Sequence, residues 1–182
     1  MSQHSGSRQH FLTIALSVFN QYGDALTMHQ LALAARLSIS SGNLYPYFCH
    51  KSELIRQLVS FVLTWVKQPS SELSRLSPIE ELRVLLTTYS ESFTVFSQIA
   101  LFDLRLYYPE EWEKIMELRR SHWQRIAATI ETGADNGQLR SVNNNLFRMM
   151  VDGMLLDPFL QEYISRSELV DILLFSTARR VP

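Results

Sequence analysis

The chain of 182 residues has one cysteine, Cys49, and no apolar run close to the roughly 20 residues that a membrane-spanning helix needs. A single cysteine excludes an internal disulfide framework and a cysteine-rich metal site. The N-terminal residues, MSQHSGSRQH, are polar and lack the apolar core of a signal peptide. We therefore expect a cytoplasmic protein with no metal, no cofactor and no membrane association.

The sequence also has little net charge, because 17 basic and 18 acidic side chains leave −1. The charges are unevenly placed. Residues 1–67 hold five basic side chains and two acidic ones, whereas the remainder is acidic by four charges. A basic N-terminal part on an acidic body is typical of a protein that contacts phosphates through that part alone, although an excess this small is weak evidence by itself.

No segment shows the alternation of apolar and polar residues that indicates a strand, and apolar residues recur at helical spacing instead. Residues 11–22 predict a first helix, which Gly23 should end. Thr27 and Gln30 have the spacing of a capping box, so a second helix should begin near residue 28 and end near Leu37. The chain is predicted to be all-α.

The next helices follow the same signals. We expect Leu31 and Ala34 of the second helix to face the core. Ser40 is a suitable N-cap for a short third helix, which Pro46 should end. Residues 51–65 form another amphipathic pattern. After a serine-rich connector at 68–77, capping signals and apolar spacing predict helices over about 78–93, 99–106, 109 to 133 or 137, 144–157 and 166–175. Ser77 and Ser165 each have a glutamate three residues later, the spacing of a capping box.

Residues 27–54 are the most informative segment, because they read as two short helices joined by a tight polar turn and followed at once by a third. The second of these begins with Ser40, Ser41, Gly42 and Asn43, which are small and able to form hydrogen bonds. The N-terminal end of such a helix can approach a DNA backbone and base edges. The segment predicts a helix-turn-helix DNA reader.

The run SSGNLYPYFCHK over residues 40–51, together with the preceding helix that ends at Gly23, resembles the DNA-binding domain of TetR-family transcriptional regulators. The resemblance covers about residues 8–56. A weaker one lies at Gly133 and at residues 137–140, which are similar to the glycine-punctuated end of a ligand-domain helix in that family. The resemblance implies an all-helical homodimer with an N-terminal DNA reader. A C-terminal bundle would dimerise and bind a small molecule.

Seven positions match those at which the family contacts DNA. They are Ser40, Ser41, Gly42, Asn43, Tyr45, Tyr47 and Lys51. Lys51 matches a lysine that typically meets a phosphate, while Leu44 and Phe48 match packing positions. The sequence departs from the family pattern at Ser38, where a turn glycine is usual, and at Pro46. The spacing from residue 27 to residue 45 is also two residues longer than usual.

For the effector pocket, we expect aromatic side chains between the helices of the bundle. The candidates are Tyr89, Phe93, Phe96, Phe102, Tyr108, Trp112 and Trp123, with packing in the core as the alternative for each. Arg105, Arg119 and His122 could supply polar contacts to a ligand, but surface positions are the favoured expectation for each. Methionines 149, 150 and 154 predict an adaptable dimer or pocket surface.

We predict a DNA-binding domain at residues 1–50, a connecting helix at about 51–67, and an effector-binding and dimerisation domain at 68–182. The predicted function is that of a transcriptional regulator, in such families more often a repressor, which binds a near-palindromic operator. A small apolar or amphipathic effector would release it. Dimerisation is expected through the helices at about 144–164 and 167–179.

Two other classes remain open at this point. A helical adaptor would bind another protein through the C-terminal bundle and would not use DNA. A small helical enzyme is the less favoured alternative, because the sequence has no nucleotide-binding loop, nucleophile elbow or HExxH motif. We expect no catalytic residues.

Overall fold

The computed structural model describes residues 3–35, 48–66, 73 and 75–178, with side chains from residue 8 onward. This part of the chain is helical, and its one strand-like feature is an isolated bridge between Leu139 and Ala178. The helices are α1 (Gln3–Tyr22), α2 (Met28–Ala34), α3 (Lys51–Trp65), α4 (Pro78–Phe93), α5 (Gln98–Tyr107), α6 (Pro109–Asp135), α7 (Asn144–Leu155), α8 (Pro158–Tyr163) and α9 (Arg166–Thr177). The predicted all-α class is confirmed.

Local capping signals place the helix ends. α1 ends at Tyr22, and the next residue, Gly23, has φ of +56°, in the left-handed region that glycine adopts at low cost. The capping box before α2 is present: the backbone N–H of Gln30 donates to Thr27 Oγ1 at 3.1 Å, and that of Thr27 donates to Gln30 Oε1 at 2.8 Å. Capping boxes also begin α4 at Ser77 and α9 at Ser165.

The predicted inner face of α2 was partly wrong. α2 ends at Ala34 rather than near Leu37, a residue that lies outside the described part of the chain. Ala34 is exposed, whereas Leu31 and Ala32 are buried. The buried stripe is therefore residues 28, 31, 32 and 35, which recur at the spacing of one helical face. The prediction placed the buried face at residue 34, about one residue away from its observed position at residue 35.

The first compact unit comprises Met1–Val66 and Val95–Met116. Its core draws on α1, α2, α3, α5 and the first turns of α6, with fully buried side chains that include Phe19, Leu31, Leu58 and Leu104. The chain therefore places residues 95–116 with the N-terminal helices in a common core. The predicted division of the chain by function stays a prediction, because compactness does not say which residues bind DNA or an effector.

The second compact unit comprises Lys67–Thr94 and Glu117–Pro182. Its core is formed by α4, the later part of α6, α7 and α9, with Leu86, Ile126, Val151 and Leu173 almost completely buried. α7 ends at Leu155, and Pro158 is the first residue of α8, where a proline ring suits the helix geometry.

The end of α6 explains the glycines that the sequence marked there. Gly137 has φ of +77°, and its N–H donates to the carbonyl of Ala134 at 3.1 Å. The N–H of Gln138 donates to the carbonyl of Gly133 at 2.9 Å. These two bonds form a Schellman motif, which satisfies the last carbonyls of the helix.

Candidate nucleic-acid interface

Most of the predicted reading residues lie outside the described part of the chain. These are Ser40, Ser41, Gly42, Asn43, Tyr45 and Tyr47, together with Ser38, Leu44 and Pro46. The structure instead describes the frame on either side of them. Before the segment, Leu31 and Ala32 are buried; after it, Phe48 is fully buried in the same core. Phe48 thus has the packing role that the resemblance implies.

The chain re-enters the described structure through a capped helix start. The backbone N–H of Glu53 donates to His50 Nδ1 at 3.1 Å, and the N–H of Cys49 donates to Glu53 Oε2 at 3.1 Å. The bond from Cys49 lowers the pKa of the Glu53 carboxyl, so this acid stays ionised at the positive end of α3. These two hydrogen bonds fix the backbone between Phe48 and Lys51.

Lys51 is the one predicted DNA contact that the structure describes. Its Nζ donates to the backbone carbonyl of Asp24 at 2.6 Å and lies 2.8 Å from Asp24 Oδ1. The side chain is 33% exposed. An ammonium group has three donor hydrogens, and two of them are directed at Asp24. One hydrogen therefore remains for a phosphate oxygen.

Asp24 is the centre of this arrangement. Tyr108 donates its hydroxyl hydrogen to Asp24 Oδ1 at 2.6 Å, and the backbone N–H of Asp24 donates to Asp103 Oδ2 at 2.6 Å. Burial acts to raise the pKa of the Asp24 carboxyl, but the hydrogen bonds from Lys51 and Tyr108 outweigh it, so the pKa is lowered. Burial, followed by the bond to Asp24, raises the pKa of the Tyr108 phenol. At neutral pH Asp24 is charged and Tyr108 is protonated.

The aromatic residues proposed for a pocket do not form one group. Tyr89, Phe93 and Trp123 are buried in the second unit. The other four belong to the first unit, where Phe96 is buried in the core, Tyr108 and Trp112 pack against it, and Phe102 is 66% exposed. Of the seven candidates, only Tyr89, Phe93 and Trp123 therefore belong to the unit that contains α7, α8 and α9.

The interior of the second unit holds a polar network that includes Tyr89. The Tyr89 hydroxyl donates to Asp152 Oδ1 at 2.6 Å, and the Arg119 guanidinium donates to the same oxygen at 2.9 Å and to Tyr89 Oη at 3.1 Å. The guanidinium carbon also lies 5.8 Å from the centre of the Phe93 ring. Burial raises the pKa of Tyr89 to about 12, so its hydroxyl keeps its proton.

The predicted surface positions of Arg119 and His122 were wrong, whereas Arg105 is exposed as expected. The side chain of Arg119 is only 17% exposed, and His122 is 1% exposed. The His122 ring stands nearly perpendicular to the ring of Phe93, with 5.5 Å between centroids. Its Nε2 has no hydrogen-bond partner among the residues that the structure describes. Burial lowers the pKa of His122, which favours the neutral ring.

Several large apolar side chains of the second unit are exposed on α7, α8 and α9. They are Leu146, Met149, Phe159, Tyr163, Ile172 and Phe175. Of the other predicted surface methionines, Met150 and Met154 are partly buried. Exposed apolar residues grouped in this way mark interaction surfaces more often than isolated ones do.

Within the ranges that the structure describes, no three or more His, Cys, Asp or Glu side chains are grouped so that they could hold a metal ion. None of the described helices is both long and apolar enough to cross a bilayer.

Comparison with known proteins identifies the architecture. No protein-family model matches the sequence. The Bacillus subtilis (strain 168) protein YvaF, described as an uncharacterized HTH-type transcriptional regulator, is 23% identical over 149 residues, which are 80% of this chain and 77% of YvaF. The TetR family transcriptional regulator PfmR from Thermus thermophilus superposes with a TM-score of 0.70 at 22% identity, covering 91% of this chain and 97% of PfmR. The chain has the TetR-family fold.

A second TetR-like structure was solved with ligands. AibR, in complex with isovaleryl coenzyme A and operator DNA, superposes with a TM-score of 0.68 at 15% identity, covering 93% of this chain and 96% of AibR. At this level of sequence identity, the structural similarity shows a common fold and no more. In the TetR-family fold of this chain, the buried Phe48 and the start of α3 frame the segment whose sequence carried the resemblance.

Sequence reasoning missed three groups in these sites. Asp24, Asp103 and Asp152 each bind partners that are at least 27 residues away along the chain. A weak signal existed for Asp24, which is one of two acidic residues in the basic segment 1–67. A stronger signal existed on α6, where residues 115, 119, 122, 126 and 130 share one helical face. Arg119 and His122 therefore lie on the same face as the buried isoleucines at 115, 126 and 130.

Proposed function

We propose that the chain is a sequence-specific DNA-binding transcriptional regulator. The observation that carries this proposal is the frame around residues 36–47. α2 and Phe48 pack into one core on either side of the segment. Lys51 follows directly, with a side chain that is 33% exposed and one ammonium hydrogen more than its two contacts with Asp24 use. The TetR-family fold supports it, as does the operator DNA bound by AibR, and YvaF is described as a regulator of the same type.

Ser40–Asn43 and the two tyrosines are the residues that would contact the DNA in this proposal, with Lys51 on a phosphate. Hydroxyl, amide and ammonium groups donate hydrogen bonds to phosphate oxygens and, in part, to base edges. The segment 38–47 contains no arginine to pair with guanine in two places. Specificity would then depend on thymine methyl contacts, water and the shape of the DNA.

The regulator acts as a homodimer in this proposal, through the exposed apolar residues of α7 and α9. Leu146 and Met149 are three residues apart on α7, and Ile172 and Phe175 are three residues apart on α9, so each pair shares one helical face. A second copy that covers both faces would form a four-helix bundle. The two readers would then contact two halves of a near-palindromic operator.

An effector would bind inside the second unit and release the DNA, as expected of a repressor. The proposed site keeps the aromatic candidates Tyr89, Phe93 and Trp123 and, of the candidate polar contacts, Arg119 and His122. The apolar part of an effector would contact the ring of Phe93, and its polar group would bind the unpartnered Nε2 of His122. An effector can shift the DNA affinity only if it binds two conformations with different affinities.

A salt titration tests the proposed function against the adaptor. The full chain is mixed with labelled duplex DNA, and the binding constant is measured between 50 and 200 mM salt, roughly the range over which phosphate contacts lose most of their affinity. A regulator should bind with a steep, linear loss of log K against log salt. Absent or salt-insensitive binding would contradict the proposal and favour a protein-binding adaptor.

A further inference from the structure

We infer that Asp103 and Tyr108 are positioning residues for DNA binding, although neither belongs to the predicted DNA-contacting set. They act through Asp24, which they hold in place together with Lys51. This inference rests on the proposed function, because it concerns how the DNA reader is held. All four residues belong to the first compact unit.

The first step is the contact between α5 and the connection from α1 to α2. Gly23 adopts φ of +56°, and a Cβ atom at this position would lie 2.0 Å from Asp103 Oδ2 and 2.9 Å from Ile99 Cγ2. The absence of a side chain therefore allows α5 to lie directly on the connection. This close approach lets Asp103 accept the hydrogen bond from the backbone N–H of Asp24.

Second, three groups of Asp24 are bound by other residues: its backbone N–H, its backbone carbonyl and its carboxylate. Its N–H is held by Asp103, its backbone carbonyl by Lys51, and its Oδ1 by both Lys51 and Tyr108. Asp103 lies on α5, Tyr108 immediately precedes α6, and Lys51 begins α3. Asp24 thus links the connection before α2 and the start of α3 to α5 and to the residue that follows α5.

A second set of hydrogen bonds connects the N-terminal end of α5 to α1. Asn20, on the last turn of α1, accepts a hydrogen bond from the backbone N–H of Ser97 at 2.9 Å and donates one to the carbonyl of Val95 at 2.8 Å. The Ser97 hydroxyl donates to the carbonyl of Asn20 at 2.7 Å. α5 is therefore bonded to α1 near its beginning and to the α1–α2 connection farther along. These bonds fasten α5 at two places to the residues that precede α2.

Lys51 has two functions in this scheme. Its two hydrogen bonds to Asp24 fix the start of α3, only three residues after the buried Phe48, where the reading segment returns to the core. The remaining hydrogen would donate to a phosphate oxygen. Losing Tyr108 or Asp103 would leave every basic group in place but would release Asp24, and with it the direction of the Lys51 ammonium and the start of α2.

The experiment uses the full chain and the duplex that the unmodified chain selects from a random DNA pool. The test variants are Tyr108→Phe, which removes only the hydroxyl, and Asp103→Leu, which removes the acceptor. Asp103→Asn retains an oxygen acceptor for the N–H of Asp24. Tyr107→Phe is the matched control, because Tyr107 is the neighbouring tyrosine and is 55% exposed.

We expect Tyr108→Phe and Asp103→Leu to weaken operator binding about tenfold, the size of one lost hydrogen bond to an ionised group. The salt slope should not change, since no phosphate contact is lost. Asp103→Asn should bind within about twofold of the unmodified chain, because an N–H···O bond can still form. Tyr107→Phe should bind like the unmodified chain. Amide hydrogen exchange at Asp24 should be faster in Asp103→Leu than in Asp103→Asn.

Wild-type affinity in Tyr108→Phe would overturn the inference, even if Asp103→Leu failed to fold. So would an equal loss in Tyr107→Phe, which would show a general effect of removing a tyrosine hydroxyl. A change in salt slope would show that the variants remove a phosphate contact instead of positioning one. If the unmodified chain selects no DNA, the proposed function itself fails, and that result is distinct from the other three.

Discussion

Asp24 accepts two hydrogen bonds from one side chain: Lys51 Nζ lies 2.6 Å from its backbone carbonyl oxygen and 2.8 Å from its carboxylate. The connection between α1 and α2 is thereby joined to the first residue of α3. Between these two points lies the segment that carries the predicted DNA contacts. These two contacts orient the Lys51 ammonium group within the protein itself.

Lys51→Ala should weaken DNA binding on every sequence, because the lost contact is with a phosphate and not with a base. The slope of log K against log salt should become shallower by about one charge. Arg83→Ala, which removes one positive charge from the second unit, should leave the slope unchanged. An unchanged slope in Lys51→Ala would mean that Lys51 only holds Asp24.

Asn43→Ala should alter the preference among operator variants more than the affinity for any one of them. Asparagine can donate to and accept from a base edge, so removing its amide should relax discrimination at one position, by about 1–3 kcal/mol for a two-bond contact. Competition binding with single-base operator variants measures this change. An equal loss on all variants would indicate that Asn43 contacts only the backbone.

The buried His122 should make the second unit less stable in mild acid. Burial lowers the pKa of His122 in the folded state below its ordinary value of 6.5, so the unfolded chain binds more protons as the pH falls through that value. The stability is complete above that pH and decreases below it, by at most about 1.4 kcal/mol per pH unit. Urea unfolding at pH 7.5, 6.5 and 5.5, roughly spanning the unperturbed histidine pKa, measures the change.

The control for this effect is an exposed histidine. His122→Gln should flatten the dependence of the unfolding free energy on pH, whereas His29→Gln, at an exposed position of α2, should leave it as it is. If both variants keep the full dependence, another titrating group causes it.

The exposed apolar face of α7 and α9 should hold the dimer together. Phe175→Glu places a charge at a residue that is 74% exposed in the single chain, and burying that charge without a partner is costly. Light scattering should therefore report a monomer at a concentration where the unmodified chain is a dimer. Phe102→Glu, at a similarly exposed phenylalanine on α5, should remain dimeric. A dimer of Phe175→Glu, or a monomer of the unmodified chain, would contradict this interface.

The sequence predicted those parts of the fold that depend on neighbours along the chain. The capping boxes at Thr27, Ser77 and Ser165 each need only two residues three positions apart, and all three are present. Gly23 and Gly137 follow the same logic, since positive φ is a local property that favours glycine.

The parts that could not be predicted depend on pairs distant in sequence. Asp24 and Asp103 are 79 residues apart, and Tyr89 and Asp152 are 63 apart, so no local pattern relates them. Arg119 and His122 were assigned to the surface on the ordinary preference of charged and polar side chains for water. Their hydrogen bonds and ring contacts in the second unit reverse that preference, and only the tertiary structure supplies them.

Selection of DNA from a random pool by the unmodified full chain tests the central proposal most directly. A dimeric regulator should enrich one near-palindromic sequence whose half-site centres are about 10 base pairs apart, or a multiple of that distance, because both readers must face the same side of the duplex. Enrichment of no sequence, with no binding even at low salt, would contradict the account of this chain as a DNA-binding regulator.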